Sequence, residues 1–175
     1  MKLVENFGIG IDPGKKGGIS LVGPEETLLY VGPIYGEGGD WLQRVSLALE
    51  NIAAILTYRK NTHSKDQKIR MYMEKPPSWG GARTAAGLAR RAGKIEALIW
   101  VAELDFPLEE IGWNQWPGLA GVRAGKVGAG DHRVSELISQ IPGAQSYLAS
   151  LPTQAGRVDC AESALIALAA FRSLS

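Results

Sequence analysis

The sequence predicts an α/β fold in which a mixed five-stranded sheet is flanked by helices, and three observations lead to it. Three strand patterns separated by tight turns open the chain, which is typical of an antiparallel meander. Two later strand patterns are each reached through a helical pattern, as parallel strands require. Apolar residues make up 45% of the 175 residues and charged residues 21%, close to ordinary globular usage, so one ordered domain spanning 1–175 is expected.

Each element rests on a local pattern. Strands are predicted where runs of apolar residues alternate, and the ranges are 4–12, 18–23, 27–34, 69–74 and 109–114. Helices are predicted where apolar residues recur every three or four positions, at 41–58, 83–103, 131–140 and 157–173. Asp40 and Asp131 are plausible N-caps for two of these helices. The polar stretch 59–68 and the glycine-rich stretch 117–130 are predicted as loops, the second of them mobile.

The composition excludes several classes of protein. A single cysteine, Cys160, and two histidines, His63 and His132, exclude an intramolecular disulfide and a zinc site of cysteines or several histidines. No apolar run approaches the ~20 residues of a membrane span, and the N-terminus lacks a signal-peptide pattern. We therefore expect a soluble protein of a reducing compartment.

The charge is distributed unevenly along the chain, although the formal net charge is only +1. Residues 59–94 hold ten basic and two acidic residues, a local net charge of +8, whereas the rest of the chain carries −7. Clustered lysine and arginine is what a surface that faces a polyanion needs, because contact with phosphates releases counterions. On charge alone, a solvated loop and helix face explains the cluster equally well.

Two acidic residues are predicted at the ends of strands. Asp12 ends the first strand before the turn Pro13–Gly18, and Glu74 ends the fourth. The carboxyl ends of neighbouring parallel strands lie side by side, so these carboxylates could converge on one site. Structural roles stay open for both: Asp12 could accept turn N–H bonds, and Glu74 could pair with Lys75 or Arg70.

The last predicted helix carries two more acids on one face. Asp159 and Glu162 are three residues apart, and the adjoining face is apolar. Like charges beside buried surface are costly unless a cation neutralises them, although exposure near the helix start would also explain them. With Asp12 and Glu74 they make an all-oxygen set, which suits Mg²⁺ or Mn²⁺. Two such ions ~4 Å apart would support phosphoryl displacement by water, and four carboxylates neutralise two divalent cations.

Three stretches of the sequence resemble the RuvC-type Holliday-junction resolvases of the ribonuclease-H-like superfamily. They are GIDPGKKGG at 10–18, YMEKPP at 72–77 and DCAESALIALAAF at 159–171, in the family's order and over nearly the whole chain. The resemblance implies a ribonuclease-H-like fold. It gives the roles of the family's catalytic, metal-binding acids to Asp12, Glu74, Asp159 and Glu162.

The resemblance also implies an activity, a cofactor and partners. It implies a Mg²⁺-dependent endonuclease with two ions in each site, with Mn²⁺ able to substitute, that resolves four-way DNA junctions by symmetric nicking. A homodimer is implied because two strands must be cut symmetrically. Glu162 stands where bacterial enzymes often have aspartate, and Lys15-Lys16 with GGARTAAG at 80–87 looks more like phage-encoded relatives. A cytoplasmic protein of a bacterium or a phage-infected cell is expected.

Candidate DNA-binding residues lie in the basic stretch and in the glycine-rich loops. They are Lys15, Lys75, Trp79, Arg83, Arg90, Arg91, Lys94, Arg123 and Lys126. Among them Trp79 is the nearest candidate for an aromatic side chain that wedges between bases at the branch point. Packing of Trp79 on Pro76 and Pro77 is the competing interpretation.

Other functions remain open from the sequence. A ribonuclease-H-like nuclease acting on branched or flap DNA, or on RNA–DNA hybrids, would use the same four acids. A nucleotide-binding ATPase or kinase could use the 10–18 turn to hold phosphate, but 175 residues are too few for the duplicated domain that this class needs. A DNA-binding module without activity would explain the basic stretch but not the four carboxylates.

Overall fold

The computed structural model describes residues 4–14, 16–35, 38–63, 66–75, 82–122, 130–141, 143–151 and 154–174. The strands are β1 (Val4–Asp12), β2 (Gly18–Gly23), β3 (Thr27–Pro33), β4 (Asp66–Glu74) and β5 (Leu108–Ile111). The helices are α1 (Gly38–His63), α2 (Ala82–Val101), α3 (Trp116–Leu119), α4 (Gly130–Gln140), α5 (Ala144–Ala149) and α6 (Gln154–Arg172). In these ranges no helix has an apolar stretch long enough to cross a membrane.

The strands form one mixed sheet in the order β3-β2-β1-β4-β5. β2 pairs antiparallel with both β1 and β3, as the predicted meander requires. β4 pairs parallel with β1, and β5 pairs parallel with β4. One core lies between the sheet and the helices α1 and α2, and a second lies between the sheet and α6 with its neighbours. The predicted mixed five-stranded sheet flanked by helices is therefore confirmed.

Several predicted boundaries are wrong. The stretch 59–68 is mostly regular, because α1 continues to His63 and β4 begins at Asp66, which is paired with Val4 at the start of β1. β5 ends at Ile111. The next residue, Gly112, begins a turn and donates its N–H to the Gln115 side chain. The stretch 117–130 begins inside α3, and its residues 123–129 lie outside the described residues. The short helix α5 was not predicted, since six residues carry little periodicity.

Alternation along the two central strands directs their terminal acids to the same face of the sheet. Ile11 and Met73 are opposite one another in the parallel pair β1–β4, and both pack in the core formed with α1 and α2. Successive side chains of a strand point to opposite faces. Asp12 and Glu74, each one residue further along, therefore lie at one edge of the sheet on the α6 face. Tyr72 confirms this face, because it packs in the α6 core.

Glycines in β1 allow α6 to approach the sheet at backbone distance. A Cβ on Gly10 would lie 2.2 Å from the backbone nitrogen of Ala167, and one on Gly8 would lie 2.1 Å from its carbonyl oxygen. The buried hydroxyl groups of Ser20 and Ser163 are 2.6 Å apart and join β2 to the same helix. The glycines of β1 therefore allow close helix–sheet packing just before the acid Asp12. That packing sets where α6 presents Asp159 and Glu162.

Candidate metal centre

The turn after β1 holds the Asp12 carboxylate at the edge of the sheet. Asp12 is buried, and its Oδ1 accepts a hydrogen bond from the N–H of Gly14 at 2.8 Å. The N–H of Gly17 donates to the Gly14 carbonyl at 3.0 Å, and a Cβ on Gly17 would lie 1.9 Å from the Asp12 carbonyl oxygen. The structural role that the sequence left open for Asp12 is therefore present, and the same contact orients its carboxylate.

Three of the four predicted acids converge. Asp12, Asp159 and Glu162 each offer a carboxylate oxygen within 4.8 Å of the others. Asp159 and Glu162 are half-buried on one face of α6, so the predicted three-residue spacing places them together beside β1. Asp159 Oδ2 is buried and has no hydrogen-bond partner among the described residues. A buried carboxylate oxygen without a partner points to a missing cation or donor.

Glu74 lies at the end of β4, next to Asp12 in the sheet. It is not one of the three acids within 4.8 Å, but the charges of Asp12 and Glu162 both raise its pKa. The alternative pairing with neighbouring cations is not found, because Arg70 pairs with Glu109 at 3.3 Å and Lys75 with Glu110 at 3.9 Å. Glu74 therefore faces the carboxylate group from the adjacent strand.

Burial raises the pKa of all four acids, and repulsion by neighbouring carboxylates adds to the rise at Glu74, Asp159 and Glu162. Desolvation is the largest cause in each case: it raises the pKa of Asp12 to about 6, of Asp159 and Glu162 to about 7, and of Glu74 to about 8. The charge of Asp12 adds to the rise at the other three acids, while the Gly14 N–H opposes it at Asp12. Nearby Lys16 lowers the pKa of Asp159. A bound cation would reverse these shifts.

A cation that was not predicted from the sequence, Arg133 of α4, also lies at this site. It is buried, its Nε lies 3.9 Å from Glu162 Oε1, and its guanidinium stacks over Trp116 at 4.9 Å. Its charge lowers the pKa of both Glu74 and Glu162. A usable signal was present in the sequence: Arg133 shares four-residue spacing with Leu137 and thus lies on the buried stripe of its helix.

A second arginine contacts the turn of the site. Arg91 was predicted to bind DNA, but its guanidinium donates to the carbonyl oxygen of Gly14 at 2.8 Å and stacks over Trp41 at 4.7 Å. Gly14 is also the residue whose N–H binds Asp12. Arg91 therefore supports the turn that orients Asp12.

The other predicted DNA-binding residues divide into two groups. Arg83, Arg90 and Lys94 are exposed on α2, and Lys75 is exposed just after β4. The remaining four lie outside the described residues: Lys15, Trp79, Arg123 and Lys126.

Comparison with known proteins agrees with this architecture. No protein-family model matches the sequence, and no curated protein matches it significantly. Among solved structures, Thermus thermophilus RuvC in complex with a Holliday junction substrate superposes with a TM-score of 0.60 at 15% identity, over 97% of this chain and 94% of that chain. Another T. thermophilus RuvC structure gives a TM-score of 0.54 at 13% identity, over 94% and 92% of the two chains. This chain therefore has the RuvC-like, ribonuclease-H-like fold that its sequence motifs predict.

Proposed function

We propose that this chain is a divalent-metal-dependent endonuclease that resolves four-way DNA junctions by symmetric nicking. The observation that carries the proposal is the convergence of Asp12, Asp159 and Glu162 within 4.8 Å, at the sheet edge where Glu74 also ends. It occurs in a chain with the fold of RuvC, and one of the similar RuvC structures holds a Holliday junction substrate.

The residues present fit a pair of Mg²⁺ ions. The four acids supply oxygen donors alone, as Mg²⁺ and Mn²⁺ prefer, and Asp159 Oδ2 is buried without a partner. When bound, such ions supply an activated water and stabilisation of the leaving oxygen in an in-line displacement. Asp12 and Glu74 would hold them from the sheet, and Asp159 and Glu162 from α6.

The protein's own contribution is to fix these carboxylates before DNA arrives. The Gly14 N–H orients Asp12, and the close packing of α6 on Gly8 and Gly10 sets the separation between the helix acids and the strand. Preorganised ligands lower the cost of assembling the reactive geometry. Their burial also removes competing water from around the charges.

The basic side chains of α2 are proposed to contact the DNA backbone. Arg83, Arg90 and Lys94 are exposed and recur at intervals of seven and four residues, so they share one face of the helix. Exposed cations in a row can neutralise successive phosphates without reading bases. Lys15, Lys75, Arg123 and Lys126 are proposed to add phosphate contacts, and Trp79 to stack at the junction centre.

Neighbouring arginines of α2 are expected to behave differently. Arg90→Ala should weaken binding to all branched DNAs and reduce the salt slope of binding by roughly one unit, because it removes one phosphate contact. Arg91→Ala should lower cleavage at saturating protein by about 10-fold or more, because it removes the support of the Gly14 turn. Binding titrations over salt and single-turnover rates measure the two effects. Equal salt slopes and equal rates for the two variants would contradict the assignment.

A homodimer is also proposed, with α2 as its contact surface. Ala86, Ala89, Gly93 and Trp100 lie on one exposed helix face, at three- to seven-residue spacing, and Trp100 is 84% exposed. A Cβ on Gly93 would meet nothing within 4 Å, so a second helix could approach closely there. Tryptophan is enriched among the residues that supply most of the binding energy of protein interfaces. Symmetric nicking would require two sites in one particle.

The change Trp100→Glu is expected to convert a dimer into a monomer while the fold is retained. A buried charge at the centre of an isologous contact occurs twice, so its effect is doubled. Sedimentation velocity measures the particle mass, and Tyr58→Glu on α1, where Tyr58 is 68% exposed, is the matched control. A wild-type monomer, or a dimer that survives Trp100→Glu, would exclude this surface.

The proposed function is tested by cleavage of a mobile four-way junction beside a duplex, a flap and an RNA–DNA hybrid, each with Mg²⁺ and with EDTA. We expect paired nicks in the junction that depend on Mg²⁺, and little cleavage of the duplex. Preferred cleavage of the flap or the hybrid would instead assign the site to a broader ribonuclease-H-like nuclease. No cleavage of any substrate would refute a nuclease.

A further inference from the structure

A buried arginine on a helix that carries none of the four acids contacts the carboxylate group. Arg133 is 7% exposed and lies on the apolar stripe of α4 with Leu137, which Ile141 continues just after the helix. Burying a guanidinium is costly unless anions compensate it. Its presence in an otherwise apolar stripe therefore indicates a specific task at the surface that α4 faces.

The contacts of Arg133 connect α4 to the site. It donates from one terminal nitrogen to Glu136 Oε2 at 2.7 Å, and its Nε lies 3.9 Å from Glu162 Oε1. The guanidinium also lies over the Trp116 ring, at 4.9 Å from its centroid. The indole N–H of Trp116 acts on Glu74 in the direction that lowers its pKa, although it does not reach hydrogen-bond geometry. Arg133 thus joins α4 to the α6 acid Glu162 and to Trp116.

We propose that Arg133 is a built-in counter-ion and positioning residue that holds Glu162 in place at the carboxylate site. The functional part of this proposal rests on the nuclease activity proposed above. Four carboxylates without a cation repel one another, and Arg133 offsets part of this repulsion from inside the protein. It thereby keeps Glu162 directed toward Asp12 and Asp159 before a metal ion binds. The charge of Arg133 opposes the rise in the pKa of both glutamates, which agrees with this arrangement.

The charge of Arg133 is tested with two unbranched variants. Arg133→Met removes the charge and keeps an apolar stem, so cleavage should fall by about 10–100-fold, as for loss of a residue that orients a ligand. Arg133→Lys keeps the charge and should recover most of that loss. Junction affinity should stay within about threefold of wild type for both, since Arg133 is buried. Equal activity of the Met and Lys variants would overturn the counter-ion role.

A double-mutant cycle on the metal-free protein, without DNA, tests the contact independently of activity. Arg133→Met should lower Tm, and the loss should be smaller in a Glu162→Gln background, because the charge that Arg133 offsets is then absent. A packing role, or pairing with Glu136 alone, predicts the same Tm loss in both backgrounds, and that result would overturn the proposal. If the wild type cuts no junction but the cycle shows coupling, the nuclease proposal fails while the counter-ion role stands.

Discussion

Replacing Asp159 by asparagine or Glu162 by glutamine is expected to reduce junction cleavage by at least about 100-fold, beyond the usual effect of losing a supporting residue. Both side chains stand within 4.8 Å of Asp12, so each change removes a charged ligand from the proposed metal centre. Binding of the junction should stay unchanged or become tighter, because less negative charge then faces the phosphates. Single-turnover cleavage and equilibrium binding in Ca²⁺ or EDTA separate the two effects.

The matched control for these variants is Glu50→Gln. Glu50 is an exposed acid of α1 that accepts a hydrogen bond from the Ser46 hydroxyl. It removes the same kind of charge from a helix remote in sequence from all four acids, and wild-type cleavage is expected. A variant at Asp159 or Glu162 that cuts at the wild-type rate in Mg²⁺ would remove that residue from the metal centre. Parallel loss of junction binding and cleavage would indicate a role in folding or DNA contact instead.

The thermal stability of the metal-free protein is expected to fall as pH rises from 5 to 8. Burial is the largest cause that raises the carboxyl pKa, which is about 6 at Asp12, about 7 at Asp159 and Glu162, and about 8 at Glu74. The folded protein then binds more protons than the unfolded chain in this window, so the free energy of unfolding decreases with pH. Glu26 has the opposite shift, because Arg172 lowers its pKa, but its contribution is lost only below the window.

Mg²⁺ or Mn²⁺ should reverse this trend. Cations bind the deprotonated acids, so the rise in Tm on adding metal should be small at pH 5 and large at pH 8. Asp159→Asn should make the metal-free protein more stable at pH 8 than the wild type, since one buried, repelling charge is removed. Differential scanning fluorimetry over pH, with metal and with EDTA, measures all three effects. A metal-free Tm that stays constant or rises between pH 5 and 8 would contradict the electrostatics of the site.

The sequence predicted those parts of the molecule that depend on local patterns. The alternation of apolar residues predicted the central strands, and Asp12 and Glu74 were predicted at their ends. The two-residue period of a strand also determines the face of the sheet to which each side chain points. The spacing of Asp159 and Glu162 gave one helix face. That these acids meet depends on Gly8 and Gly10, whose role is visible only when α6 is in place.

The features that the sequence did not predict depend on partners distant in the chain. No local pattern separates Arg91, which donates to the Gly14 carbonyl, from exposed Arg90. The partner that distinguishes them, Gly14, lies 77 residues away in the chain. Arg133 was not singled out from the sequence, since its acidic partner Glu162 lies on another element. The extension of α1 to His63 was missed because polar residues at an exposed helix end look like a loop.

The most direct test of the metal centre is anomalous diffraction from crystals of the full chain grown with Mn²⁺. The arrangement predicts two peaks ~4 Å apart, bounded by Asp12 and Glu74 on the sheet and by Asp159 and Glu162 on α6. The same crystals of Asp159→Asn should lose at least one peak. Mn²⁺ bound elsewhere on the chain, with no peak among these four carboxylates, would contradict the claim that they form the metal centre of a nuclease.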